Sequence, residues 1–283
     1  FLSIYYYGLY ILILIFFLLI VIPFLHLYQS YVAAHAYDFL SPSEKRLYDV
    51  VEFLVPQFSG NSKNDLIILR GNTWSGSIGG LEISDPLAVI SQVVSSQKFY
   101  WPFILTAFIP VILTILFGRF FCGWICPATL IYELNSIFSC WLKVGSRKLF
   151  KFKLDRRFKY CILAVGLITT ALVGSVIITT IYPPAIIGRE LYLLIAQDGL
   201  GVGVVIFSST LLFDIFIVRR GFCRYICPGG ALYSLLARYR FLRVRRVAEN
   251  CNDCARCNTV CEFGLDPMND NFGQECSNCT ACI

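Results

Sequence analysis

The chain has 283 residues, 57% hydrophobic and only 15% charged, whereas a soluble domain carries about a quarter charged residues. This composition excludes a wholly water-facing protein and predicts one that meets lipid. The net charge of +6 does not call for nucleic acid, because the basic residues gather in short loops beside apolar stretches, where they mark membrane sidedness and contact with membrane lipid.

About 20 apolar residues are needed to cross a hydrocarbon core. Four stretches approach that requirement, Leu9 to Leu27, Trp101 to Leu116, Cys161 to Tyr182 and Gly201 to Val218, so four transmembrane helices are expected. The first is too long an apolar run for a cleaved signal peptide. His26, at its outer end, is a candidate proton acceptor for quinol chemistry, with interfacial packing as the plainer reading. The second histidine, His35, lies nine residues on; on one helix the two point to opposite faces, which argues against a haem held by a histidine pair.

Residues 28–100 form a mildly acidic outer loop. Within it "SPSEKRLYDVVEFL" places Ser41 three residues before Glu44 with Pro42 at the first helical position, and the apolar series Leu47, Val50, Val51, Leu54 predicts an amphipathic helix. "RGNTWSGSIGG" reads as turn and loop.

After the second span comes "RFFCGWICPATLIYEL" from Arg119, and after the fourth "RGFCRYICPGGALYSL" from Arg220, superimposable at a constant offset of 101. The membrane part is therefore expected to be two tandem two-helix repeats, each closed by a Cys-x3-Cys-Pro cap. Pro127 and Pro228 fit first helical positions, with Cys126 and Cys227 at the N-caps. Helix N-termini and the nearby Arg119, Arg219, Arg220 and Arg224 are expected to lower the thiol pKa values. Cys122, Cys126, Cys223 and Cys227 are then candidate metal or cluster ligands, or redox-active thiols closing disulfides within each pair; simple packing is the alternative, and is the reading for the isolated Cys140 and Cys161. Asp214, in the fourth span, is a candidate proton or quinone group, or a partner for Arg219 or Arg220.

"KVGSRKLFKFKLDRRFK", Lys143 to Lys159, has eight basic residues against one acid, and "ARYRFLRVRR" adds five more. Both should face the cytoplasm, which puts the two termini and the cysteine tail there in an inner-membrane, multi-pass protein.

The tail from residue 248 carries the most specific pattern. Cys251, Cys254, Cys257 and Cys261 reproduce C-x2-C-x2-C-x3-C, in which three thiolates hold corners of one cubane and the fourth reaches the other cluster. Cys276, Cys279 and Cys282 begin a second copy. One 4Fe-4S cluster then takes Cys276, Cys279, Cys282 and Cys261; the other takes Cys251, Cys254 and Cys257 plus a cysteine about four residues beyond Cys282. Glu262 stands where the pattern usually has proline. Zinc ribbons use two separated pairs rather than triplets followed by a single cysteine, and a reducing compartment disfavours disulfides here. Residues 1–247 are thus expected to form the membrane domain, and 248–283 a small α+β cytoplasmic domain resembling a bacterial ferredoxin.

The paired caps, the two-cluster tail, "GNTWSGSIGG" and "SDPL" resemble the ferredoxin-type membrane subunits of periplasmic nitrate reduction (NapH type) and their relatives in nitrous oxide respiration (NosR type) and methylamine oxidation. The resemblance implies an electron-transfer subunit of a quinol dehydrogenase, with two 4Fe-4S clusters, quinol as substrate, and other iron–sulfur or cytochrome subunits as partners. The same motifs occur in copper-handling iron–sulfur proteins of cytochrome oxidase assembly (CcoG type), which implies as an alternative that the cap cysteines bind copper for reduction. A structural anchor for catalytic subunits is a third reading.

Overall fold

The computed structural model describes residues 37–40, 42–58, 69–72, 75–78, 81–142, 155–196, 199–247, 249, 251–269 and 272–282, with scattered positions between 10 and 31. His26 and His35 lie outside the described residues.

The predicted amphipathic helix is present as α1, Pro42–Phe58. Its Val51 is buried whereas Val50 is exposed, and it is tied to the chain before it by Tyr31 donating to Glu44 at 2.7 Å and Tyr28 donating to Glu52. Ser41, the expected capping residue, and the side chains of Leu47 and Leu54 lie outside the described residues. The segment read as turn and loop is instead a three-stranded antiparallel meander: β1 Leu69–Asn72, β2 Ser75–Ile78 and β3 Leu81–Ser84. Asn72 pairs with Ser75, and Ile78 with Leu81. Its glycines and serines hid the strands because they lack the alternating β-branched pattern by which strands are recognised.

Helices follow. After α2, Pro86–Ser96, come α3, Trp101–Thr106, and α4, Phe108–Phe117; the first cap leads into α5, Pro127–Trp141. The second half holds α6, Phe158–Val173, α7, Pro183–Ala196, and α8, Val202–Phe216. The second cap's short α9, Gly221–Tyr225, then precedes α10, Pro228–Leu236.

The expectation of four transmembrane helices is overturned. Among the described residues no helix is long and apolar enough to cross a membrane. The stretch from Trp101 breaks at Ala107 into pieces of 6 and 10 residues. The stretch from Cys161 ends its 16-residue helix where Gly174 turns left-handed at φ 68°, an ordinary glycine stop, and passes into a 3-10 turn, Ile177–Thr180. The stretch from Gly201 is helical for 15 residues. At 1.5 Å per residue these helices fall short of a hydrocarbon core about 30 Å thick. The apolar composition was read as uninterrupted length; backbone breaks, which hydropathy does not register, divide it. Apolar side chains nonetheless line the outside of α6 and α8, with Leu172 81% and Val202 75% exposed.

A single core joins the two halves. Leu87 of α2, Ala128 and Tyr132 of α5, Leu163 of α6, Ile178, Tyr182, Ala185, and Phe222, Cys227 and Ala231 of the second cap form one buried cluster. The "SDPL" segment of the expected outer loop is therefore contiguous with a cap. Asp85 caps α2 by accepting from Leu87 N–H at 2.7 Å, and its other oxygen accepts from Tyr233 at 3.1 Å and from Tyr182. Glu190 of α7 holds the first turn of α8, accepting from Gly201 N–H at 2.6 Å and Gly203 N–H at 3.1 Å. A Cβ on Gly203 would lie 2.3 Å from the Glu190 carboxylate, so a side chain there would displace that carboxylate from its bonds.

Candidate functional site

The caps keep the repeat in backbone detail. Cys126 and Cys227 are the N-caps of α5 and α10, with φ,ψ of −61°,120° and −58°,118°, and proline follows each. The residues before them differ: residues Phe121–Ile125 form a π-turn in the first cap, whereas the second uses α9. Between the caps, Phe121 stacks on Tyr233 at 4.9 Å and Phe222 on Tyr132 at 6.3 Å. Phe121 matches Phe222, and Tyr132 matches Tyr233, under the same offset of 101, so the stacking is reciprocal, as an approximate two-fold relation between the caps requires.

That relation gathers the four cap sulfurs. Cys126 feels Cys122 and Cys227, Cys223 feels Cys227 and Cys126, and Cys227 feels Cys122. All four are free thiols. The expected lowering of their pKa values is reversed for three of them: burial first, then mutual repulsion, pushes Cys126 and Cys223 well up and Cys227 up to about 12. The N-cap effect is present, with Gly230 N–H donating to Cys227 Sγ at 3.3 Å. Desolvation outweighs it. Without a metal the sulfurs of Cys126, Cys223 and Cys227 are protonated and unreactive as nucleophiles; ligation by a cation would replace the proton. Cys140 and Cys161 are exposed rather than packed.

The tail carries a second internal repeat, legible in its backbone. Cys251, Cys254 and Cys257 match Cys276, Cys279 and Cys282 at an offset of 25. Asp253 and Ala255 adopt φ of 58° and 53°, and their counterparts Asn278 and Thr280 adopt 51° and 61°. Left-handed conformation at non-glycine residues is uncommon; its recurrence at matched positions shows that both loops curl alike around their thiols. Asn278 N–H donates to Cys276 Sγ at 3.5 Å. The regular structure here, among the described residues, is a helix, Arg256–Val260, a 3-10 turn, Pro267–Asn269, and a β-bridge at Asp266.

Cys261, Cys276, Cys279 and Cys282 line one crevice with Phe263, Leu265, Pro267 and Phe272. This is the ligand set that the spacing assigned to one cluster. Burial first, then repulsion by Cys279, Cys276 and Cys261, raises Cys282 to about 11. Four thiols stand in a largely apolar wall, with Ser277, Asn278 and Thr280 as the polar residues beside them, which fits an iron–sulfur cubane. Among the described residues no group of three or more Cys, His, Asp or Glu side chains closes on one point to hold a single ion; cubane ligands instead stand at the corners of a larger body.

Tail and caps are locked together through ion pairs that sequence reasoning missed. Arg119 of the first cap donates to Glu275 at 2.5 Å, and Lys159 donates to the same oxygen. Tyr160 reaches the other Glu275 oxygen at 3.2 Å. Arg220, matching Arg119 in the second cap, pairs with Glu262 and lies 4.0 Å from Glu133. Glu275 precedes Cys276, and Glu262 follows Cys261, so each cap arginine grips a carboxylate beside a cysteine of the crevice. Between the two guanidiniums sits the ring of Phe263, 5.1 Å from Arg119 and 5.5 Å from Arg220. Glu262, which departs from the usual proline, is thus the second clamp. The contact is tight elsewhere too: a Cβ on Gly123 would lie 3.2 Å from Ser277, and Trp124 donates to Asn278 O at 3.3 Å.

Asp214 serves this frame. It is buried and accepts from Phe222 N–H at 2.9 Å, fixing the start of the second cap; its second oxygen lacks a hydrogen-bond partner. Burial raises its pKa to about 7, against the pull of Phe222 N–H, Arg220 and Arg224. Among the described residues it forms no ion pair with Arg219 or Arg220.

Duplicated cysteine caps docked on a cysteine-rich tail define a ferredoxin-type iron–sulfur protein, and comparison with known proteins agrees. A family described as "4Fe-4S binding domain" matches residues 99–155 and 200–247, the segments holding the two caps. The methylamine utilization ferredoxin-type protein MauN of Methylorubrum extorquens is 31% identical over 199 residues, 69% of this chain and 66% of that protein. The ferredoxin-type protein NapH of Escherichia coli is 31% identical over 200 residues, again 69% and 66%, and NapH of Haemophilus influenzae 28% identical over 237 residues, 76% and 77%. Homologues of the chain are thus the NapH and MauN ferredoxin-type proteins, at 31% identity over 69% of its length. It spans just under two thirds, 66%, of the first two relatives. No solved structure matches it.

Proposed function

We propose that the chain relays electrons between the quinol pool and partner redox subunits of a respiratory complex. The observation that carries this reading is the crevice in which Cys261 joins Cys276, Cys279 and Cys282; these four hold one 4Fe-4S cluster, and Cys251, Cys254 and Cys257 with one further ligand hold a second. When bound, such clusters supply one-electron redox chemistry. The residues of the chain supply the rest: thiols to ligate, apolar walls to exclude water, and Arg119 and Arg220 to balance the negative charge of thiolate ligation. The cap quartet Cys122, Cys126, Cys223 and Cys227 is an additional cluster site in this proposal. Arg119 supports that assignment, because its buried guanidinium lies against Cys122 and Cys223, the placement expected where an anionic centre belongs. Association with the inner membrane belongs to the same reading and is supported by the exposed apolar faces of α6 and α8. Iron and acid-labile sulfide per chain, with electron paramagnetic resonance after reduction by dithionite and then by a quinol analogue, test it. Iron and sulfide with quinol-reducible signals support the relay; zinc without sulfide overturns the clusters, and clusters inert to quinol overturn the quinol step.

A further inference from the structure

A cavity of about 330 Å³ opens beside the tail, lined by Arg238, Arg240, Arg243 and Arg245 with Phe272 and Gln274. It adjoins the cysteine crevice, with Val244 and Phe272 as shared walls, but opens on a separate set of side chains that the relay does not use. Four arginines line it, and among the described residues no carboxylate pairs with any of them. Elsewhere the protein matches its buried arginines with acids, as at Arg119 and Arg220. Here the nearest bonds are to neutral carbonyls: Arg240 donates to Cys276 O at 3.3 Å, and Arg243 to Arg240 O at 3.4 Å.

The site is built rather than a loose surface patch. Arg240 is 6% exposed. Its side chain is fixed against the turn at Gly118, where a Cβ would lie 2.9 Å from Arg240 Cδ, and by its bond to the tail. Like charges held together at a cavity without a counter-charge raise the free energy of the protein, and an anion entering the cavity relieves that cost. Planar guanidiniums bind phosphate oxygens in bidentate pairs. The rim of the same segment adds exposed apolar side chains, Tyr239 at 72% and Phe241 at 77%, interleaved with the arginines.

We infer that this cavity binds a phosphate-bearing anion. The phosphate has two possible sources, a lipid headgroup, which the aromatic rim favours, and a soluble phosphate compound.

The test uses the full chain in two arms: flotation with vesicles of equal parts phosphatidylcholine and phosphatidylglycerol against phosphatidylcholine alone, and calorimetric titration with inorganic pyrophosphate. Saturable binding in either arm supports the site, and the arm that responds identifies the source. Arg243→Gln with Arg245→Gln, both exposed positions, should weaken that binding at least about tenfold, since each removes a charged fork. Arg243→Lys with Arg245→Lys should weaken it as well, because charge is kept but the bidentate geometry is lost. Binding in neither arm, or lysine variants that bind like the parent, overturns the inference, the latter by showing diffuse charge attraction. Should the double variants fail to give the parent's circular dichroism, Arg238→Gln alone decides by the same criterion.

Discussion

Replacement of Glu275 by glutamine tests the cap–tail clamp most directly. Glu275 is the one carboxylate that receives both Arg119 and Lys159, whose side chains are 1% and 0% exposed. Glutamine keeps the shape and removes the charge, which leaves two buried cations facing each other. Removal of one partner from a buried ion pair costs about 3–5 kcal/mol, and in a chain of this size that lowers the melting temperature on the order of 10 °C. Lys159→Met should behave differently. Burial first and then Arg119 pull Lys159 down to about 8 despite Glu275, so its ammonium is the strained member, and its removal leaves a balanced Arg119–Glu275 pair; the expected change is within about 1 kcal/mol. The pH dependence carries the same signature. Between about pH 8 and 10.5 the unfolded chain holds a proton on Lys159 that the folded chain has released, so stability rises with pH across that window, and Lys159→Met abolishes the rise. Glu275 is itself held below its usual value, the two cations and Arg156 outweighing its burial, so its contribution is present above its unfolded pKa and is lost as pH falls through its folded one. Denaturant titrations of the two variants, monitored by circular dichroism across pH, check these expectations. Equal losses in both variants, or a larger loss for Lys159→Met, would refute the assignment of Glu275 as the shared anchor.

Three further outcomes are expected. Glu262→Gln leaves Arg220 with only the longer Glu133 contact, and, since Glu262 is one quarter exposed, the loss should be smaller, about 1–3 kcal/mol, with earlier proteolytic release of the tail as the readout. Asp214→Asn keeps the acceptor for Phe222 N–H but removes a carboxylate raised to about 7; below that pH the folded state keeps a proton the unfolded state has lost, so the stability of the parent falls by up to about 1.4 kcal/mol per pH unit from about pH 4 to 7 while the variant's does not. Melting curves over that range distinguish the two, and parallel curves refute the burial argument. Cys261→Ser should lower iron per chain as Cys276→Ser does, whereas the exposed Cys140→Ser should leave it unchanged; equal iron in all three would remove Cys261 from the ligand set.

The cysteine pattern was legible in the sequence because ligand chemistry imposes spacing on the chain itself. The offset of 101 located both caps, and the triplets with Cys261 named the crevice before its walls were known. Helix length was not legible in the same way. Hydropathy sums side chains, but the break at Ala107 and the left-handed turn at Gly174 are backbone events, and the neighbouring apolar residues read the same on either side of them. The sign of the cap thiol shifts was missed for a related reason: helix N-termini and arginines are visible in sequence, whereas the burial that outweighs them at Cys126, Cys223 and Cys227 exists only once the two caps have closed on each other.

The ion-pair clamps were encoded in the two repeats taken together, not in either alone. Arg119 and Arg220 occupy the same place in caps 101 residues apart. Their carboxylate partners flank opposite sides of cysteines that line one crevice, Glu262 after Cys261 and Glu275 before Cys276. An approximately two-fold pair of cations can seat a single compact body only if that body presents two anions on either side of its centre, and the crevice supplies that centre, with Phe263 filling the space between the guanidiniums. A proline at position 262 would remove the second anion and leave Arg220 without its main partner in a site where it is 6% exposed. The departure from the usual pattern at Glu262 is therefore a consequence of docking this tail on these caps, and the free energy of that docking is held in buried charge that the cysteine motif by itself does not contain.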